Sequence, residues 1–193
     1  TDLNEEFINE LLELFSNKLI FVLRRINFEK NRLNIKNRLV ILSILKNAKV
    51  IVDLDIKANK KELDYLKIDK GKISTIISYH NYRYTPNDKT LMDVIETIKK
   101  YHSKIIKIAT FCKNEKDALR LLQIQQALIK KKKTVIILGM GKFGTITRVF
   151  GTLWGNAMIF APKTVNEATA KGQLTKTQLE NIFNELNKFE IIN

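Results

Sequence analysis

The chain holds 193 residues, with 34 Lys and Arg against 20 Asp and Glu, a formal net charge of +14 and a hydrophobic fraction of 45%. That apolar content can fill a substantial core, which excludes intrinsic disorder, and no apolar run approaches the roughly 20 residues of a membrane-spanning helix. A single cysteine, Cys112, and only two histidines, His80 and His102, exclude an intrachain disulfide and a thiolate-rich metal cage.

Leu3, Phe7, Ile8, Leu11, Leu14 and Phe15 recur at helical spacing, with Asp2 and Glu5 in the spacing of a helix start. The helix runs into KLIFVLRR, a short apolar stretch suited to a buried strand. The alternation then repeats. Residues 35–46 read as helix and KVIVDLD as strand; 59–67, with Glu62 three residues past an Asn59 cap, as helix and KISTIISYH as strand. Helices over 88–101, 114–129 and 146–154 precede the strands KIIKIAT, TVIILGMG and NAMIFAP. A last helix opens with Thr175 and Gln178 in capping-box spacing and carries Leu179, Ile182, Phe183 and Leu186 on one face. Six strand-like segments alternating with helices predict a parallel α/β fold. With only Pro86 and Pro162 and no Gly- or Ser-rich linker, residues 1–193 read as one domain. The opening TDLNEEF lacks the cationic and apolar segments of a signal peptide, so a cytoplasmic location is expected.

Ligands of parallel α/β folds bind at the carboxyl ends of strands, which directs attention to polar residues there. Arg24 ends the first strand, His80 ends the third, Lys107 lies within the fourth, and GMGKFG follows the fifth with Arg148 soon after. Alternation along KIIKIAT puts Ile105, Lys107 and Ala109 on one face. If that face is buried, low dielectric favours the neutral amine, the form that attacks a ketone to make a Schiff base; the same pattern fits a lysine snorkelling from a strand end. His80 alone fits a hydrogen-bonded structural histidine as well as a proton shuttle, and His102, at a helix end, reads as a surface residue. GMGKFG comes too late in the chain for a dinucleotide fingerprint. The lysine surplus is spread along the helices, which favours a solvated face over a nucleic-acid surface.

In this order the segments SYHNYRYTP, KIIKIATFCKNEKDALRLL, GMGKFGTITRVFGTLWG and NEATAKGQLT resemble the type I 3-dehydroquinate dehydratases. The resemblance implies an eight-stranded (β/α) TIM barrel, of which six βα units are visible here, and dehydration of 3-dehydroquinate to 3-dehydroshikimate with no metal or organic cofactor. It implies that Lys107 forms the imine and that His80 is the general acid and base. By the same resemblance Arg148 holds the substrate carboxylate, Thr169 and Gln173 on a lid bind substrate hydroxyls, and Arg24 contacts substrate. Glu29 takes the place of a glutamate that supports the histidine, displaced by about one position. The partners implied are a small anionic substrate, which the positive charge would steer, and a second copy of the chain in a homodimer, with neither nucleic acid nor membrane. Thr169 stands where the family has Ser and Lys171 where it has Pro, a change expected to loosen the lid's turn. The family's first two strands would precede Asp2. A degenerate relative that binds without turnover is the competing expectation.

Overall fold

The computed structural model describes residues 4–15, 18–23, 33–68 and 73–188. Helices and strands alternate: α1 Glu5–Phe15, β1 Ile20–Leu23, α2 Ile35–Leu45, β2 Ile51–Asp55, α3 Lys60–Ile68, β3 Ser74–Asn81 and α4 Asp88–Lys99. Then follow β4 Ile105–Phe111, α5 Glu115–Lys130, β5 Val135–Met140, α6 Thr145–Leu153 and α7 Lys176–Lys188. Short side-chain acceptors start the helices, as their unsatisfied first N–H groups require. Asn4, Asn34, Asn87 and Asn114 each accept from the backbone N–H three residues on, at 2.9–3.1 Å. The capping box expected at α7 is present: Gln178 N donates to Thr175 Oγ1 at 3.2 Å, and Thr175 N donates to Gln178 Oε1 at 2.9 Å. Asn59 behaves differently, because its Oδ1 accepts from Asp55 N at 2.9 Å and its Nδ2 donates to Glu62 Oε1 at 2.9 Å. At the first helix the cap is Asn4; Asp2, the expected cap, lies outside the described residues.

The chain packs as two compact units. The first comprises the described residues of Thr1–Tyr79 and Val94–Lys104. Here β1 pairs parallel with β2 (Ile20↔Ile51) and β2 with β3 (Ile51↔Ser74). Leu23, Val52, Leu54, Ile76 and Ile77 from the strands are buried, as are Ile41, Leu42 and Leu45 of α2 and Leu63 of α3. Arg38 and Glu62, both buried, join α2 to α3 at 3.5 Å.

The second unit comprises His80–Asp93 and the described residues of Ile105–Asn193. Its strands β4 and β5 pair parallel, from Ile106↔Val135 to Phe111↔Met140. Buried Gln125 on α5 donates through Nε2 to Gly151 C=O on α6 at 2.6 Å. Gly139 on β5 meets Gly144 ahead of α6 so closely that a Cβ on Gly144 would lie 2.3 Å from the Gly139 carbonyl carbon, a contact only glycine permits.

NAMIFAP, expected as a sixth strand, is not one: among the described residues the strands number five. The segment's own first side chain, with Thr147, takes up the outer edge of β5, which leaves too few backbone partners there to build a ladder. Asn156 takes both groups of Ile137, accepting its N–H at 2.8 Å and donating to its C=O at 3.0 Å. The hydroxyl of Thr147 accepts the Gly139 N–H at 2.6 Å, and only Ala157 N reaches the strand's backbone, at Val135 C=O. No helix among the described residues is long and apolar enough to cross a membrane.

Candidate active site

Of the side chains singled out in the sequence, Lys107, His80, Arg148, Thr169 and Gln173 lie in the second unit. Its β4 is buried from Ile105 to Thr110, so both faces of the strand are covered, and Lys107 at its third position is only 3% exposed. The lysine Nζ sits 4.1 Å from the centroid of the Phe160 ring, a cation–π distance for an ammonium. Phe160 is held in turn: its C=O accepts from Gln173 Nε2 at 2.8 Å, and Gln173 Oε1 accepts from Thr169 N at 3.0 Å. Three contacts therefore lead from Lys107 through Phe160 and Gln173 to Thr169; Thr169 is exposed and Gln173 half-buried.

His80 lies at the end of β3, half-buried, with its ring stacked on Tyr82 at 5.9 Å and an interplanar angle of 9°. The segment after it is fixed to the carboxyl end of β4 by Thr85. The Thr85 hydroxyl donates to Phe111 C=O at 3.0 Å and lies 2.9 Å from the Thr110 hydroxyl, which is left to donate to it. Arg120 on α5 adds a bond from Nη2 to Pro86 C=O at 2.6 Å.

Arg148, on α6, is 2% exposed. Its Nε and Nη1 have no hydrogen-bond partner among the described residues, and burial lowers its pKa from the usual arginine range. Two donors on one buried guanidinium form a planar fork whose geometry suits a carboxylate. His102 is exposed, in the left-handed region at φ 54°, as a surface turn residue. Arg24 and Glu29 lie outside the described residues. Among the described residues no three His, Cys, Asp or Glu side chains are grouped to hold a metal ion.

Sequence reasoning overlooked two features. Phe160 was hidden inside the expected sixth strand, with no local signal that its ring meets Lys107. In the first unit, buried Asp53 accepts from Ser78 Oγ at 2.6 Å. A carboxylate in the middle of the apolar run KVIVDLD was a visible cue, because a buried charge needs a partner.

The model of one family, described as type I 3-dehydroquinase, matches residues 2–190. The chain belongs to the type I 3-dehydroquinases. A 3-dehydroquinate dehydratase of Methanococcus vannielii is 33% identical over 142 residues, covering 72% of this chain and 63% of that protein. One from Thermodesulfovibrio yellowstonii is 33% identical over 160 residues, covering 82% and 69%. Among solved structures, the 3-dehydroquinate dehydratase of Aquifex aeolicus superposes with a TM-score of 0.73 at 26% identity, covering 98% of this chain and 83% of that one. That of Geobacillus kaustophilus gives 0.74 at 25%, covering 88% and 68%. This type I 3-dehydroquinase chain spans 62–64% of the length of the Methanococcus relatives it matches.

Proposed function

We propose that the protein dehydrates 3-dehydroquinate to 3-dehydroshikimate through an imine on Lys107. The observation that carries this reading is the buried Lys107 amine lying against Phe160, whose carbonyl is bonded by the lid residue Gln173. The neutral amine adds to the substrate ketone, and the resulting hydroxyl takes a proton supplied by His80 and leaves as water, forming an iminium. That cation draws electrons from the neighbouring carbon, and His80 removes a proton from it. The electron pair left behind expels the β-hydroxyl, which departs as water with a proton returned by His80. Hydrolysis of the imine then releases the enone and restores Lys107. Arg148 binds the substrate carboxylate through the donors it leaves unused, where a planar fork suits a bidentate pair. Thr169 and Gln173 contact substrate hydroxyls, and their segment limits the access of water. Arg24 adds a further substrate contact and Glu29 supports His80. The whole chain acts as a single α/β-barrel domain, in a homodimer in the cytoplasm, on a small anionic substrate, with no part for nucleic acid or membrane.

The test is reductive trapping. Borohydride added with 3-dehydroquinate should leave a covalent adduct on Lys107, located by peptide mass spectrometry, and Lys107→Met should abolish both adduct and turnover. Binding of the substrate with neither adduct nor turnover would overturn the proposal in favour of a non-catalytic relative.

A further inference from the structure

Between β5 and α6 the chain turns through Gly141, and two groups on this turn reach the lid. The Gly141 N–H donates to the Lys171 C=O at 2.8 Å. The Thr145 hydroxyl, on the first residue of α6, lies 3.1 Å from the Gly172 C=O. The same hydroxyl lies 3.4 Å from the Gly141 C=O, four residues back. With one hydrogen to give, Thr145 has two alternative acceptors: a shorter one on the lid and a longer one in the turn that precedes its own helix. Withdrawal of the lid would exchange the shorter bond for the longer one, so the bond to Gly172 favours the closed lid. Gly172 sits at φ 77°, and a Cβ there would come within 2.4 Å of Gly141 O and 2.9 Å of Thr145 Oγ1. The lid thus approaches as near as a glycine backbone allows. One residue on, Gln173 bonds Phe160 above Lys107.

We propose that Thr145 is a positioning residue, a latch whose hydroxyl holds the Gly172 carbonyl and so keeps Gln173 and Thr169 over Lys107. The proposal rests on the reading of Lys107 and the lid given above. In this chain the latch takes over the restraint that a proline at position 171 would supply through its fixed φ. Lys171 also offers the readout: its side chain is exposed, and trypsin cuts the Lys171–Gly172 bond, beside which the Gly141 N–H holds the Lys171 carbonyl and the latch holds the Gly172 carbonyl.

Limited trypsin digestion of the full chain, with the cut at Lys171 quantified by mass spectrometry, tests this without requiring turnover. Thr145→Val keeps the shape and removes the hydroxyl. It should speed that cut about fivefold, the effect of one lost neutral hydrogen bond, and raise KM for 3-dehydroquinate by a similar factor with less change in kcat. Thr145→Ser should restore the slow cut. Gly172→Ala, which displaces the lid sterically, should expose the same bond, and combining it with Thr145→Val should add nothing further. An unchanged cutting rate in Thr145→Val, or Thr145→Ser cutting as fast as Thr145→Val, would overturn the latch. A faster cut in a protein that forms no adduct with 3-dehydroquinate would uphold the latch and defeat the dehydratase reading.

Discussion

Arg148→Met should stabilise the unliganded protein while removing its response to anionic ligands. The guanidinium is 2% exposed, and two of its donors, Nε and Nη1, lack partners among the described residues. An unsatisfied buried donor costs about 1–3 kcal/mol, and more when charged, whereas methionine keeps much of the apolar stem. Discounting for packing lost around the missing planar group, the gain should be about 2 kcal/mol. For a chain of this length that raises Tm by about 4–8 °C. Urea denaturation followed by circular dichroism measures the first quantity. A thermal melt with and without 3-dehydroquinate measures the coupled one: a ligand at 100 times its Kd adds about 2.7 kcal/mol to the wild type and should add almost nothing to the variant. If Arg148→Met unfolds at lower urea than the wild type without ligand, the guanidinium is already satisfied in the free protein, and the argument that it waits for a carboxylate fails.

Ser78→Ala should cost about 2 kcal/mol in urea unfolding, because it strips buried Asp53 of one donor, at 2.6 Å; no change would mean that its other partners satisfy the carboxylate. Thr175→Ala should lose about 1 kcal/mol through the capping box of α7, and Thr175→Ser should recover it. Cys112 is fully buried, and burial pushes its thiol up to about 11 from 9.0. Between those pH values the unfolded chain loses the thiol proton and the folded chain keeps it, so stability should fall as pH rises from 9 to about 11. A parallel series on Cys112→Ala, compared by chemical denaturation, should lack that part of the decline.

What the sequence determined by itself is the set of properties that depend on near neighbours. Alternating apolar segments marked five of the five described strands, because a parallel strand covered on both faces needs an unbroken apolar run and its crossover helix needs a 3.6-residue stripe. Thr175 and Gln178 announced their helix because a capping box closes within four residues. Lys107 stood out for the same local reason, a cation in the middle of an apolar strand. The tertiary structure decided matters of what meets what. NAMIFAP has the composition of a strand, but its first residue, Asn156, meets the edge of β5 with its side chain instead of its backbone, and Thr147 takes the next N–H along that edge. Phe160 was one more apolar residue until the fold set its ring against Lys107 and its carbonyl against Gln173. Arg148 lies on a helix whose apolar residues Ile146, Val149, Phe150 and Leu153 mark another face, yet the fold buries Arg148, leaves Ile146 exposed and gives Nε and Nη1 of the guanidinium no partner among the described residues. Hydrophobic period is written into adjacent residues, whereas hydrogen-bond satisfaction is settled only among groups that the fold brings together.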